Sequence, residues 1–435
     1  MVLSRNRKRL STGRVMRMPT ADHPPGKETS PQMRPDTVRE MSERCTRCGV
    51  CRKNCAFLRE YGLPADIAAG YGNNPAVARA AAFACSLCGL CTAVCPEDLD
   101  PARMFLDLRR DAFASGKGDF AAHSRLLNYE KRGTSKRYTW YSLPADCETV
   151  FFPGCTLPGA RPETTRRLYE RLRADDATVG IVLDCCCKPS HDLGRQEYFE
   201  AMFSELRRYL LAAGVRNVLV ACTNCFAIFS QYGEGLVVKT VYEYLAARAC
   251  IPEKQHSGIV TVHDPCVIRM EAGIHDAART LIRAHGLTIR EMEHSGKRTV
   301  CCGEGGAAGC VAGDLARQWG RLRIREARGD RILTYCAGCA GSLSRLTPTD
   351  HLLDLLFEPE RTLAGKALVS RAPVTYLNRL RLKRRLRKNS SGARTRERTF
   401  VLAPQANRKR PWFRLLFLMA VLSAVAGTGL AGISQ

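Results

Sequence analysis

Twenty-two of the 435 residues are cysteine, and eighteen of them stand in two repeated patterns. The first pattern is Cys45-x2-Cys48-x2-Cys51-x3-Cys55, which recurs as Cys85-x2-Cys88-x2-Cys91-x3-Cys95 before Pro96. Three thiolates spaced two residues apart can wrap one corner of an iron–sulfur cube, while the fourth leaves in the opposite direction to serve a second cube. This spacing assigns Cys45, Cys48, Cys51 and Cys95 to one cubane [4Fe–4S] cluster, and Cys85, Cys88, Cys91 and Cys55 to another. A pair of zinc sites is the competing reading, because C-x2-C also serves zinc. Zinc takes its cysteines in two pairs and gives no reason for three evenly spaced cysteines plus one. Ala56 stands where the second motif has Pro96.

The second pattern is an internal duplication. One copy reads VFFPGC (Cys155), LDCCCKP (Cys185, Cys186, Cys187) and VLVACTNC (Cys222, Cys225). The other reads VTVHDPC (Cys266), TVCCGEGG (Cys301, Cys302) and ILTYCAGC (Cys336, Cys339). Pairing Cys186–Cys187 with Cys301–Cys302 leaves 30 and 34 residues before each pair, then 34 and 33 after it. Two close matches of spacing point to a repeat. Each copy delivers five thiolates to one place, more than one zinc can use but suited to an iron–sulfur cluster of unusual shape.

The elements that must position these cysteines can also be read. β-branched runs at 149–152, 179–183 and 217–221 end at cysteines in the first copy, as do 259–263 and 331–335 in the second. Helix-like stretches at 162–173, 195–213 and 315–327 lie among them. Strands alternating with helices predict an α/β unit with a mostly parallel sheet, whose ligand sites gather at the carboxyl ends of the strands. The first pattern resembles the cysteine spacing of bacterial ferredoxins, and the segment DIAAGYGNNPAVARAAAFA makes this part an expanded helical one. The expected organisation is a disordered basic arm (1–40), a ferredoxin-type two-cluster domain (41–110), a linker (111–146), two cysteine-rich domains (147–250 and 257–358), a basic segment (371–411) and a transmembrane helix (413–433).

Composition excludes disordered, fibrous and disulfide-scaffold classes: hydrophobic residues make up 45% and charged residues 25% of a long chain. The net charge is +25. Residues 371–414 hold 15 Lys/Arg and one acid, Glu397, and adjoin 19 uncharged residues at 415–433. A helix of that length spans about 28 Å, near the roughly 30 Å of a bilayer core. The expectation is a single-pass protein of the cell membrane with its bulk in the cytoplasm, the basic flank staying inside. The run 376–388 is expected to lie along anionic lipid. No nucleic acid is expected as a partner.

The motif C-x(30–39)-CC-x(33–36)-C-x2-C resembles the signature of the cysteine-rich CCG domain. A ferredoxin pair followed by two such domains resembles the catalytic subunit of heterodisulfide reductase, and also the iron–sulfur subunits of anaerobic glycerol-3-phosphate dehydrogenase and of glycolate or lactate oxidation systems. The resemblance covers about 43–357. It implies an iron–sulfur oxidoreductase with two cubane clusters and one or two noncubane [4Fe–4S] clusters. The catalytic ligand sets carried over by position are Cys155, Cys186, Cys187, Cys222 and Cys225, and Cys266, Cys301, Cys302, Cys336 and Cys339. Electrons would pass between a membrane quinol or cytochrome partner and a CCG site that reduces a disulfide or oxidises a thiol pair. The alternative is a relay from a flavin dehydrogenase partner to quinone. Two departures stand out: Lys188 occupies the place of the motif's glycine, and Cys185 is extra. Gly303, Gly305 and Gly306 would let backbone approach a cluster.

Cys147, Cys185, Cys250 and Cys310 fall outside the expected ligand sets. His191, His263 and Glu304 are candidate proton donors near cysteines, against the plainer reading of structural hydrogen-bonders. The run GEGGAAG lacks the spacing of a dinucleotide fingerprint.

Overall fold

The computed structural model describes residues 35–402, apart from 117, 119 and 249–253. The basic arm up to residue 34, Cys250 and the segment 403–435 lie outside the described residues.

Helix Asp36–Arg44 opens the described chain, burying Val38 and Met41. The ferredoxin-type part follows as short helices, among them Ala56–Tyr61, Pro64–Asn73, Pro75–Ala84 and Pro101–Ala114. Proline at the first turn starts three of these, where its missing N–H costs nothing. Alanine-rich faces let them pack closely around the cysteine loops.

The stretch 111–146, expected as a linker, holds helix Ser124–Gly133 and strand β1 (Trp140–Leu143). The first cysteine-rich domain adds β2 (Thr149–Phe152), β3 (Gly180–Leu183), β4 (Asn217–Val220) and β5 (Val237–Thr240). The second holds β6 (Ile259–His263), β7 (Thr288–Arg290), β8 (Arg331–Thr334) and β9 (Thr349–His351), and β10 (Arg394–Arg396) follows near the end. One sheet runs β10-β1-β3-β2-β4-β5 and the other β7-β6-β8-β9. β3-β2-β4-β5 and β7-β6-β8-β9 are parallel throughout and share one order, so the duplication read from the cysteines is a duplication of topology. β1 and β10 add antiparallel strands to the first sheet alone. Strands such as Gly180–Leu183 are buried along their whole length, as sheets covered on both faces require.

Two expectations about membranes are corrected. Among the described residues, no helix is long and apolar enough to cross a membrane. The single-pass span and the cell-membrane location therefore lack support, and the segment 413–433 itself lies outside the described residues. The basic run expected to lie on lipid is helix Val374–Lys388, and it docks on protein. Leu382 and Leu386 join the core of the first cysteine-rich domain, and Arg379 and Lys383 are buried beside them. Lys383 donates to the carbonyls of Lys136 and Arg137 and pairs with Glu397. The leucines between the cations serve a protein core rather than a bilayer.

Candidate redox site

The ferredoxin-type part brings its eight cysteines into two groups. Cys45, Cys48, Cys51 and Cys95 line one small pocket, which Cys91 also touches. Cys51 is pushed up to about 11 by burial and by its neighbours Cys45, Cys48 and Cys95. Cys55, Cys85, Cys88 and Cys91 form the second group: burial and the proximity of Cys88 and Cys85 raise Cys55, and burial raises Cys91 beside the other three. Cys48 is exposed, so the first group reaches the surface.

The second group abuts the second cysteine-rich copy. Arg269, three residues past Cys266, donates from Nε and Nη2 to the carbonyl of Cys88 at 2.9 and 2.7 Å, and to Lys297 and Thr299 carbonyls at 2.6 and 3.0 Å. A Cβ on Gly305 would sit 2.6 Å from the carbonyl oxygen of Ser86, so only glycine permits this approach. Arg109, wholly buried, donates to the carbonyls of Ala82, Phe83 and Cys85, and also to Asp192 in the first copy and Gly306 in the second. One guanidinium thus ties three parts of the molecule together.

Five of the six cysteine groups of the duplicated unit fall at the carboxyl end of a strand; the exception is Cys301–Cys302, which is reached from β7 through the loop at 291–300. Cys155 follows β2, the CCC run follows β3, and Cys222 follows β4. Cys266 follows β6 and Cys336 follows β8. Cys222 and Cys336 cap the helices Thr223–Tyr232 and Ala337–Leu343, which carry Cys225 and Cys339 in their first turn. Both copies open onto one shared cavity of about 130 Å³. Its walls carry Cys155, Cys185, Cys186, Cys222 and Cys225 from the first copy, and Cys266, Cys302, Cys336 and Cys339 from the second. Cys301 lies just behind, within hydrogen-bond reach of Cys266 and Cys302. The thiols of Cys222 and Cys336 meet across the boundary between the copies. The Tyr242 hydroxyl fastens that boundary by donating to the carbonyls of Ala221 and Tyr335, and the buried Arg161–Asp354 pair at 2.7 Å adds to it.

Of the expected cysteines, Cys187 is set apart: Cys185 takes its place on the cavity wall. Cys187, with φ of 58°, is buried beside Glu130 and Cys185, the three placing their ligand atoms within 4.8 Å of one another. Cys147 is buried with its thiol against the Thr149 carbonyl, and Cys310 is exposed.

The proton-donor candidates separate. His263 lies behind the cavity against Cys302 and Cys339, and burial, with help from Arg323, pushes its imidazole down to about 4. It is neutral at physiological pH. His191 is held between Asp192 and the Tyr232 hydroxyl, both at 2.9 Å, and burial lowers it as well. Glu304 lines the cavity; its residue is solvent-exposed, while its carboxyl is crowded by the surrounding walls. Burial and the thiols of Cys336 and Cys301 raise its carboxyl to about 8. Sequence reasoning missed Lys188 as a cavity residue: its ammonium lies on the wall and is held by Asp192 at 2.7 Å. It also missed Tyr129, whose hydroxyl donates to the Cys155 carbonyl at 2.8 Å.

The donor sets fit iron–sulfur clusters. Buried thiols crowded this closely resist ionisation, as the raised Cys91, Cys155 and Cys225 show. A bound cation reverses that logic, because a coordinating thiol is deprotonated outright.

A ferredoxin-type cysteine domain clamped to a duplicated, thiol-lined α/β unit defines an iron–sulfur oxidoreductase. Comparison with known proteins agrees. The 4Fe-4S dicluster domain model matches residues 41–99, and the cysteine-rich domain model matches 149–230 and again 260–344. The chain is 26% identical over 388 residues to a subunit of the dihydromethanophenazine:CoB–CoM heterodisulfide reductase of Methanosarcina mazei, covering 75% of this chain and 94% of that one. It is 26% identical over 330 residues to a subunit of the CoM/CoB fumarate reductase of Methanothermobacter marburgensis, covering 68% of this chain and 66% of that one. It is 22% identical over 285 residues to the EtfAB:quinone oxidoreductase of Syntrophomonas wolfei, covering 57% of this chain and 40% of that one. Among solved structures, an aspartate racemase of Picrophilus torridus overlays 53% of the chain at 13% identity and a TM-score of 0.24, which carries no argument about fold or function. The chain carries a 4Fe-4S dicluster domain and two cysteine-rich domains and is similar to heterodisulfide reductase subunits and other iron–sulfur oxidoreductases, and multiple iron–sulfur clusters are its cofactors.

Proposed function

We propose that this protein moves electrons between a quinol or cytochrome-type partner and a cysteine-rich site that reduces a disulfide to two thiols, or oxidises a thiol pair in reverse. The observation that carries this reading is the shared cavity: both copies keep complete thiol sets and both face it. Cys45, Cys48, Cys51 and Cys95 would hold one cubane cluster and Cys55, Cys85, Cys88 and Cys91 the other. Cys266, Cys301, Cys302, Cys336 and Cys339 would hold a cluster in the second copy. When bound, such clusters supply one-electron steps and an iron to take a substrate sulfur.

The rest is the work of the chain. The exposed face at Cys48 offers the point of entry. Arg269 and Arg109 hold the Cys85–Cys88 loop against the second copy, so electrons would reach that copy before the first. The Cys222–Cys336 contact joins the two copies. Each disulfide takes up two electrons and two protons to give two thiols, and Glu304 and Lys188 are the groups on the wall that can hold a proton beside a departing thiolate.

The similarity to a quinone oxidoreductase supports a second reading, a relay from a flavin dehydrogenase to quinone with no disulfide chemistry. The two separate when dithionite-reduced protein is mixed without oxygen with small organic disulfides or with a soluble quinone. The disulfide reading expects cluster bleaching to reverse with the disulfide as two thiols appear per disulfide consumed. Re-oxidation by the quinone alone, with no thiol released, would favour the relay.

A further inference from the structure

We infer that the first copy binds its cluster through Cys155, Cys185, Cys186, Cys222 and Cys225, and that Cys187 fills the glycine position of the motif without being a ligand. This rests on the reading that the first copy holds a cluster.

Three independent features fix the register. The first is the pattern of thiol contacts. In the second copy Cys301 pairs with Cys266, and Cys302 with Cys339. In the first copy Cys185 pairs with Cys155, and Cys186 lies 3.5 Å from Cys225. Cys185 therefore corresponds to Cys301, and Cys186 to Cys302. The second feature is the backbone. Gly303, the glycine of the second motif, has φ of 96°, and Cys187 has φ of 58°. Both residues turn the chain through the left-handed region that L side chains seldom adopt. In that conformation the Cys187 thiol points to the Cys185 carbonyl, at 3.7 Å, and away from the cavity. The third feature is the next residue along the chain. Lys188 then corresponds to Glu304, and both side chains lie on the wall of the shared cavity. Aligning Cys187 with Cys302 instead breaks all three correspondences.

The register also shows how the two copies differ. An acidic side chain, Glu304, stands at this wall position in one copy and a basic one, Lys188, in the other.

The test uses full-length protein purified without oxygen, with iron and acid-labile sulfide counted and the clusters followed by electron paramagnetic resonance. Cys187→Gly should keep every iron of the wild type and leave the spectrum unchanged, because glycine takes the same backbone conformation. Cys185→Ser should lose about four irons per chain. Loss of about four irons in Cys187→Gly would overturn the assignment, as would full retention in Cys185→Ser. Should Cys185→Ser fail to fold, Cys187→Gly decides alone. A wild-type count that leaves the first copy without a cluster would instead sink the underlying reading, and it would do so before any variant is made.

Discussion

Arg109→Met is expected to lower the stability of the folded chain by about 3–5 kcal/mol, because several buried carbonyls lose a donor at about 1–3 kcal/mol each. The side chain is wholly buried and donates to five backbone carbonyls. Methionine fills much of the same volume but removes the donor these carbonyls share; the Ala82 carbonyl still accepts from the Cys85 N–H, and each carbonyl left as a buried orphan costs about 1–3 kcal/mol. Relief from desolvating the guanidinium returns part of this. What remains is large beside the roughly 5–15 kcal/mol that holds a typical domain folded. The five carbonyls belong to three parts of the molecule, so the ferredoxin-type part should come loose from the duplicated unit. Urea unfolding would show the shift in midpoint, and limited proteolysis would show new cleavage between residues 114 and 140. Arg109→Lys should rescue only part of the loss, because an ammonium cannot reach five acceptors in a fork geometry. A change below about 1 kcal/mol in the methionine variant would mean that this residue does not hold the parts together.

Cys301→Ser is the second change with a large expected effect. Hydrogen bonds from Cys266 and Cys302, and from the N–H groups of Gly303 and Gly305, hold the Cys301 thiol well below its ordinary range. Gly303 N lies 3.3 Å from the sulfur. Cys301 is also near enough to Cys85 for their charges to interact, so it stands where the ferredoxin-type part meets the second copy. Serine keeps the shape but offers a poor ligand to iron. Outer partners of a metal site typically cost 10–100-fold when removed, and a ligand should cost more. We expect disulfide reduction to fall by more than about a hundredfold while the cubane signals persist. Wild-type turnover in this variant would remove the second copy from the electron path. If quinone-linked transfer were kept while disulfide reduction vanished, the two functions would share only the cubane part.

The strand runs and the cysteine spacing made the duplicated unit legible. The run at 149–152 is β2 and the run at 259–263 is β6, because β-branched segments ending in cysteine have few alternatives. The two ferredoxin groups were legible for the same reason, since their spacing is itself the geometry. The register of CCC was not. Shifting it by one residue changes two spacings by one each, and only the backbone angle and the thiol contacts decide between them. Arg109 carried no signal, because its partners are carbonyls and every residue has one. The basic helix Val374–Lys388 misled because leucines mixed with cations suit a lipid surface and a protein core alike: Leu382 and Leu386 face the core at 4% and 6% exposure. The helix and strand within 111–146 were missed because β1 pairs with β10, from a segment more than 240 residues away, and with β3.

The central claim is that the chain holds four clusters, two in the ferredoxin-type part and one in each cysteine-rich copy. Iron and acid-labile sulfide per chain, measured on the full-length protein purified without oxygen, test it most directly. The account predicts about sixteen of each. About eight of each, or zinc in place of iron, would contradict it.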